Sequence, residues 1–207
     1  MRLLDAPPTA TTRSHYVAKA WLTALLPSLA FLAARLAAGN ASLAIPLRPG
    51  VAAFAAYSIL LAPLLETAAM LPIAALLRRL PARSNVLRIL VLATLAAAAH
   101  AMQGGLWAAL GAFWPFVVYA ACLFAWWPRG QRDAFAITAA VHALYNATLT
   151  LGISSLVAPL AAPGLFDVAL IAFALPLVLL LGVRARVPRT VGAMLGLGYA
   201  CYLVAVF

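Results

Sequence analysis

Acidic side chains are almost missing from this chain. Its 207 residues hold four, Asp5, Glu66, Asp133 and Asp167, and Glu66 is the single glutamate. Lysine is scarcer still: Lys19 stands alone beside thirteen arginines. Charged residues make up 9% of the chain and hydrophobic ones 67%, where a soluble domain carries about 25% and about 45 to 50%. That excludes an ordinary soluble domain. Cysteine is limited to Cys122 and Cys201, both inside apolar runs, which excludes a disulfide framework and a Cys-based metal motif. No His-Glu-x-x-His sequence occurs. The net charge of +10 would suggest a nucleic-acid partner in a soluble protein. Here the basic residues fall between apolar runs, so they read as orientation signals and lipid-headgroup contacts, and no nucleic-acid-binding pattern is present.

What the chain does contain is a series of apolar runs, each long enough to span a bilayer. The expected spans are Val17 to Ala34, Val51 to Leu77, Val86 to Met102, Leu106 to Trp127, Ala134 to Leu156, Leu165 to Val183 and Val191 to Phe207. Residues 1–17 form a polar leader whose prolines and threonines disfavour regular structure. A basic leader before an apolar run also fits a signal peptide, with LAAGNAS as cleavage region. The length of the run favours an uncleaved anchor. Short connections between spans point to one all-α, polytopic helical domain over residues 18–207. Gly104 and Gly105 mark a tight turn between the third and fourth spans.

Orientation follows from the arginines. With the N-terminus inside, the inner segments carry Arg2, Arg13, Lys19, Arg78, Arg79, Arg83, Arg88, Arg129, Arg132, Arg184, Arg186 and Arg189. The outer segments carry only Arg35 and Arg48. Twelve against two is a strong positive-inside bias. It predicts seven spans, N-terminus in and C-terminus out, in a bacterial plasma membrane, the bacterial source being suggested by the Arg, Ala and Leu usage. The tryptophans, Trp21, Trp107, Trp114, Trp126 and Trp127, lie mostly near span ends and read as interfacial aromatics.

Four polar groups interrupt the spans: Glu66, His100, His142 and Asn146. A charge at the bilayer centre costs roughly 2.5 to 3.5 kcal/mol on insertion scales unless it is paired or hydrated. His142 and Asn146 are four apart and share a helix face. At about 1.5 Å per residue, Glu66 lies about 18 Å from Arg78 and His100 about 18 Å from Arg88. On the same scale His142 and Asn146 lie about 14 and 20 Å from Asp133. Three helices thus bring polar groups to one level. Singly, an intramembrane His or Asn is often interhelical glue, worth about 0.6 kcal/mol. Together the four suit water activation: a carboxylate as general base, with imidazole and amide donors for a developing oxyanion. Two histidines and a glutamate would also suit zinc with an open position for water.

These residues resemble the CAAX protease and bacteriocin-processing (CPBP, or Abi) family of intramembrane proteases, which includes the prenyl-protein proteases. The family pattern is Glu-Glu-x-x-x-Arg on one helix, Phe-x-x-x-His on a later one, and His-x-x-x-Asn or His-x-x-x-Asp on another. His142-Ala143-Leu144-Tyr145-Asn146 fits the third motif fully. His100 fits the second with Ala96 in place of phenylalanine. Glu66 fits one glutamate of the first, flanked by Leu65 and Thr67, and no arginine follows at the expected spacing. The resemblance covers a core of about residues 51–156. It implies an intramembrane endopeptidase in which Glu66 activates water while His100, His142 and Asn146 position it or stabilise the oxyanion. The family is also described in terms of a zinc mechanism; the glutamate mechanism is the one expected here, without a cofactor. The implied partner is a membrane-anchored protein or peptide, such as a prenylated tail, a bacteriocin precursor or a C-terminal sorting segment. Two other readings stay open: a non-catalytic immunity or scaffold protein of the same kind, and a proton-coupled carrier. The carrier reading lacks the internal repeat many carriers show.

Overall fold

Alanine and leucine runs have high helix propensity, and a chain crossing a bilayer must satisfy its backbone hydrogen bonds internally. Both effects favour helix. The computed structural model describes residues 13–38, 57–81 and 85–149, which are almost entirely helical. Helix α1 is Arg13–Ala37. A π-helical turn, Tyr57–Leu61, leads into α2, Ala62–Arg79. The run Asn85–Trp126 is broken at Gly104 and Gly105. The break separates α3, Asn85–Met102, from α4, Gly104–Arg129, which ends in the 3-10 turn Trp127–Arg129. Helix α5 is Gln131–Asn146.

Four stretches are long and apolar enough to cross a membrane: Arg13–Ala37, Ser58–Arg79, Asn85–Met102 and Gly104–Arg129. They coincide with the first four expected spans. Helix α5 occupies the described part of the fifth. The spans expected at Leu165 to Val183 and Val191 to Phe207 lie outside the described residues, as do residues 1–12 and most of the LAAGNAS segment. The leader differs from expectation at its end, because Arg13 to Val17 are already helical. Tertiary contacts decide this. Arg13 pairs with Asp133 of α5 at 2.8 Å, and the buried Tyr16 ring meets Trp126 edge-on at 5.4 Å.

The reversal at Gly104 and Gly105 is real and sharp. His100 and Phe116 are sixteen residues apart, about 24 Å along a continuous helix. Their ring centroids lie 5.1 Å apart, so α3 and α4 form a hairpin. Gly105 sits at φ 70, ψ −166, which is open essentially to glycine alone. Gly104 has no room for a side chain, since a Cβ there would lie 2.7 Å from the Ala108 Cβ. A second tight connection, Gly130 at φ 118, joins α4 to α5.

Helix α5 is the centre of the bundle. Ten of its sixteen residues are buried, and it packs against α1, α2 and the α3–α4 hairpin. Five of the ten are alanines, whose small side chains let neighbouring backbones approach. By contrast α3 turns Leu87, Leu90, Val91 and Leu95 outward, the surface expected of a lipid-facing helix.

Charge and aromatics gather at one end. Arg13 and Arg129 lie over the Trp126 ring at 5.3 and 5.2 Å, and Arg78 lies over Trp127 at 5.3 Å. Arg88 donates to the Leu77 and Leu80 carbonyls at 3.1 and 3.0 Å, capping the C-terminal end of α2. Arg35, Trp107 and the Gly104–Gly105 turn occupy the opposite end, with Arg35 over Trp107 at 5.6 Å. Trp107, Trp126 and Trp127 therefore match the interfacial reading. Trp21 and Trp114 do not: both are internal to their helices and serve as interhelical donors. Pro27 leaves the Thr23 carbonyl, four residues earlier, without a helical donor. The Trp114 indole supplies one from α4 at 2.9 Å. Trp21 donates to the Thr148 hydroxyl at 3.2 Å.

Candidate functional site

Helix α2 carries Glu66 in an otherwise apolar stretch, and the helix faces that surround it decide its setting. One side of α2 packs on α5 and the other on the α3–α4 hairpin. These contacts aim both imidazoles at the carboxylate. His142 Nε2 lies 3.5 Å from Glu66 Oε2, and His100 Nε2 lies 4.0 Å from the same oxygen. The depth argument from the arginine flanks thus brought together the right helices. The three residues differ in exposure. The His142 side chain is 4% exposed, while Glu66 and His100 retain 34% and 29%. His142 is nearly buried in the wall of a cavity to which the other two are more open.

That cavity, about 290 Å³, is lined by all four candidate residues together with residues of α1 and α4. It runs from Glu66 past Phe116 and Gly111 to Trp107 and Arg35. Phe116 separates the histidines, its ring 5.1 Å from His100 and 5.6 Å from His142. Tyr119 stacks on His142 with centroids 4.2 Å apart and planes 26° apart. The sequence offered no signal for these two aromatics, because a Phe and a Tyr three apart in an apolar helix read as ordinary core. The aromatic contact to His100 comes from α4.

Hydrogen bonds fix part of the protonation pattern. His100 Nδ1 lies 3.0 Å from the Ala96 carbonyl oxygen. A carbonyl only accepts, so Nδ1 carries the proton and Nε2 turns toward Glu66. Glu66 Oε2 and His142 Nδ1 are buried and make no hydrogen bond within the described residues. Asn146 is placed differently from its helix-mate. It lines the cavity, yet its Nδ2 donates to the Ser58 carbonyl at 2.8 Å. The reason is local. A π-helical turn pairs each carbonyl with the N–H five residues on. For Ser58 that residue is Pro63, which has no N–H. Asn146 completes the carbonyl and pins the end of α5 to the start of α2. Its amide has a second proton that this bond does not use.

Glutamate and histidine are zinc donors. No group of three His, Cys, Asp or Glu among the described residues is arranged to hold an ion. Comparison of the chain with known families, with characterised proteins and with solved structures finds no match. The described residues therefore define a class: a helical protein with four membrane-length apolar helices and a carboxylate beside two imidazoles on a partly open cavity.

Proposed function

We propose that the protein is an intramembrane endopeptidase of the glutamic, CPBP-like type. Its substrate is a membrane-anchored protein or peptide. The observation that carries the reading is the position of Glu66 Oε2, 3.5 and 4.0 Å from the two histidine Nε2 atoms and facing a cavity inside the bundle. In this reading Glu66 takes a proton from water as the water oxygen attacks the scissile carbonyl. The second water proton is held by His100 Nε2, which is the accepting nitrogen because Nδ1 donates to Ala96. The unused Nδ2 proton of Asn146 and an Nε2–H on His142 face the developing oxyanion. As the C–N bond breaks, the proton on Glu66 passes to the departing amine. Zinc plays no part in this scheme. The chain lies in a bacterial plasma membrane as seven spans, with the arginine-rich end in the cytoplasm and the Arg35 end outside.

Glu66→Gln tests the base. The amide has nearly the same volume and avoids burying a charge, so the fold persists or gains stability. Loss of a general base costs about 10² to 10⁴ in rate. The assay is turnover of a panel of anchored peptides in liposomes, alongside a melting curve for the variant. Folded Glu66→Gln protein with near wild-type turnover would remove Glu66 as base. Activity lost on chelation and restored by zinc would replace the mechanism with a metal one. A wild-type protein that cleaves nothing in the panel would favour the non-catalytic reading.

A further inference from the structure

The two histidines are held by different means. His100 is fixed by a hydrogen bond, its Nδ1 donating to the Ala96 carbonyl at 3.0 Å. The Nδ1 of His142 is buried and makes no hydrogen bond among the described residues. Histidine χ2 is broad and roughly two-fold, so packing has to choose the plane of this ring. Two aromatic side chains of α4 do so. Tyr119 stacks on the imidazole, centroids 4.2 Å apart and planes 26° apart. Phe116, one turn earlier, meets it edge-on at 5.6 Å and 77°. Tyr119 is fully buried and is itself braced edge-on by Phe116 at 5.4 Å and Tyr145 at 6.1 Å. Its hydroxyl makes no hydrogen bond among the described residues, so what Tyr119 offers His142 is its ring.

We propose that Tyr119 is a positioning residue that holds the His142 imidazole in the plane from which Nε2 faces Glu66. To turn about χ2, the imidazole would have to swing an edge into the Tyr119 face, and the stack opposes this. Within the plane so fixed, the carboxylate 3.5 Å from Nε2 selects the nitrogen edge over the carbon edge. The effect of Tyr119 on turnover rests on the hydrolase reading; the orientation of the ring does not. The competing role is that of a core residue, which fills space and has no hold on one particular imidazole.

Orientation and cleavage are therefore measured apart. The chain has three histidines, His15, His100 and His142, so the imidazole resonances of histidine-labelled protein in nanodiscs are few, and His142→Asn assigns the set of interest. In the wild type His142 gives one sharp set, displaced upfield by the Tyr119 face. Tyr119→Phe keeps the ring, and with it the single set, its upfield position and wild-type turnover. Tyr119→Leu and Tyr119→Met fill the space without a ring. In whichever of them melts cooperatively, His142 loses the upfield displacement and shows exchange broadening or a second set. His100, held by its own hydrogen bond, stays sharp. For an anchored peptide kcat falls about 10²-fold, the scale of a misplaced catalytic group, and KM is unchanged. A single sharp set in Tyr119→Leu or Tyr119→Met overturns the proposal, as does wild-type kcat beside a heterogeneous His142. If neither variant folds, the wild type and Tyr119→Phe decide: one upfield set in both supports the role, and two sets in the wild type overturn it. Heterogeneous His142 in the ringless variants of a protein that cleaves nothing supports Tyr119 and removes the hydrolase.

Discussion

Asn146 both lines the cavity and holds a backbone carbonyl of another helix. Its spacing from His142 puts the two on one face of α5, and both line the cavity. Its bond to the Ser58 carbonyl depends on the π-helical turn and on Pro63, which no pattern in residues 142–146 could announce. Asn146→Ala therefore acts twice. The unserved Ser58 carbonyl costs about 1 to 3 kcal/mol of stability, read as a lower melting temperature. If the proposed hydrolysis is right, loss of an oxyanion donor also lowers turnover by about 10² to 10³. A normal melting temperature with reduced turnover would show that Ser58 finds another donor. Arg35 was legible only as an outer-loop charge. Its place in the cavity depends on how α1 packs against α4, a contact between residues 72 positions apart, Arg35 and Trp107.

Two helical elements make checkable demands. Pro27 breaks the hydrogen-bond ladder of α1, and Trp114 repairs it from α4. Trp114→Phe leaves the Thr23 carbonyl without that donor and costs about 1 to 3 kcal/mol. Pro27→Ala restores an N–H four residues on, so the same change costs less in a Pro27→Ala background. A double-mutant cycle on melting free energies reads this coupling, and strict additivity would refute it. The α3–α4 reversal was legible as a Gly-Gly pair between two apolar runs. Its backbone adds a magnitude: Gly105→Ala forces a side chain into φ 70, ψ −166, at a cost of about 1 to 3 kcal/mol. Because Gly105 itself has open space around it, that loss is conformational, and a neutral Gly105→Ala would show that the turn can relax.

At the scale of the whole molecule, the two ends of the described bundle differ in charge. Arg13, Arg78, Arg88, Arg129 and Asp133 share one end of the bundle, while Arg35 and the Gly104–Gly105 turn share the other. If the arginine-rich end is cytoplasmic, an impermeant thiol reagent applied to intact cells labels Met102→Cys, whose native side chain is 90% exposed, and spares Gln131→Cys. The reverse pattern would invert the topology. The background needs Cys201→Ser, because Cys122 is fully buried. Gly104 itself is a poor labelling site, since a side chain there meets Ala108. Composition and the lengths of the apolar runs were sufficient for helices, their approximate bounds and the level of the polar groups. Those features are properties of single segments: helical rise, apolar length and the charge that flanks it. The helical start at Arg13, the aromatic wall of Phe116 and Tyr119, the anchoring of Asn146 to Ser58 and the arrival of Arg35 at the cavity mouth were decided by packing. Each depends on a contact between segments far apart in the chain. Residues on lipid-facing and buried faces of these helices are equally apolar, so the pattern along one helix does not reveal which side meets its neighbours.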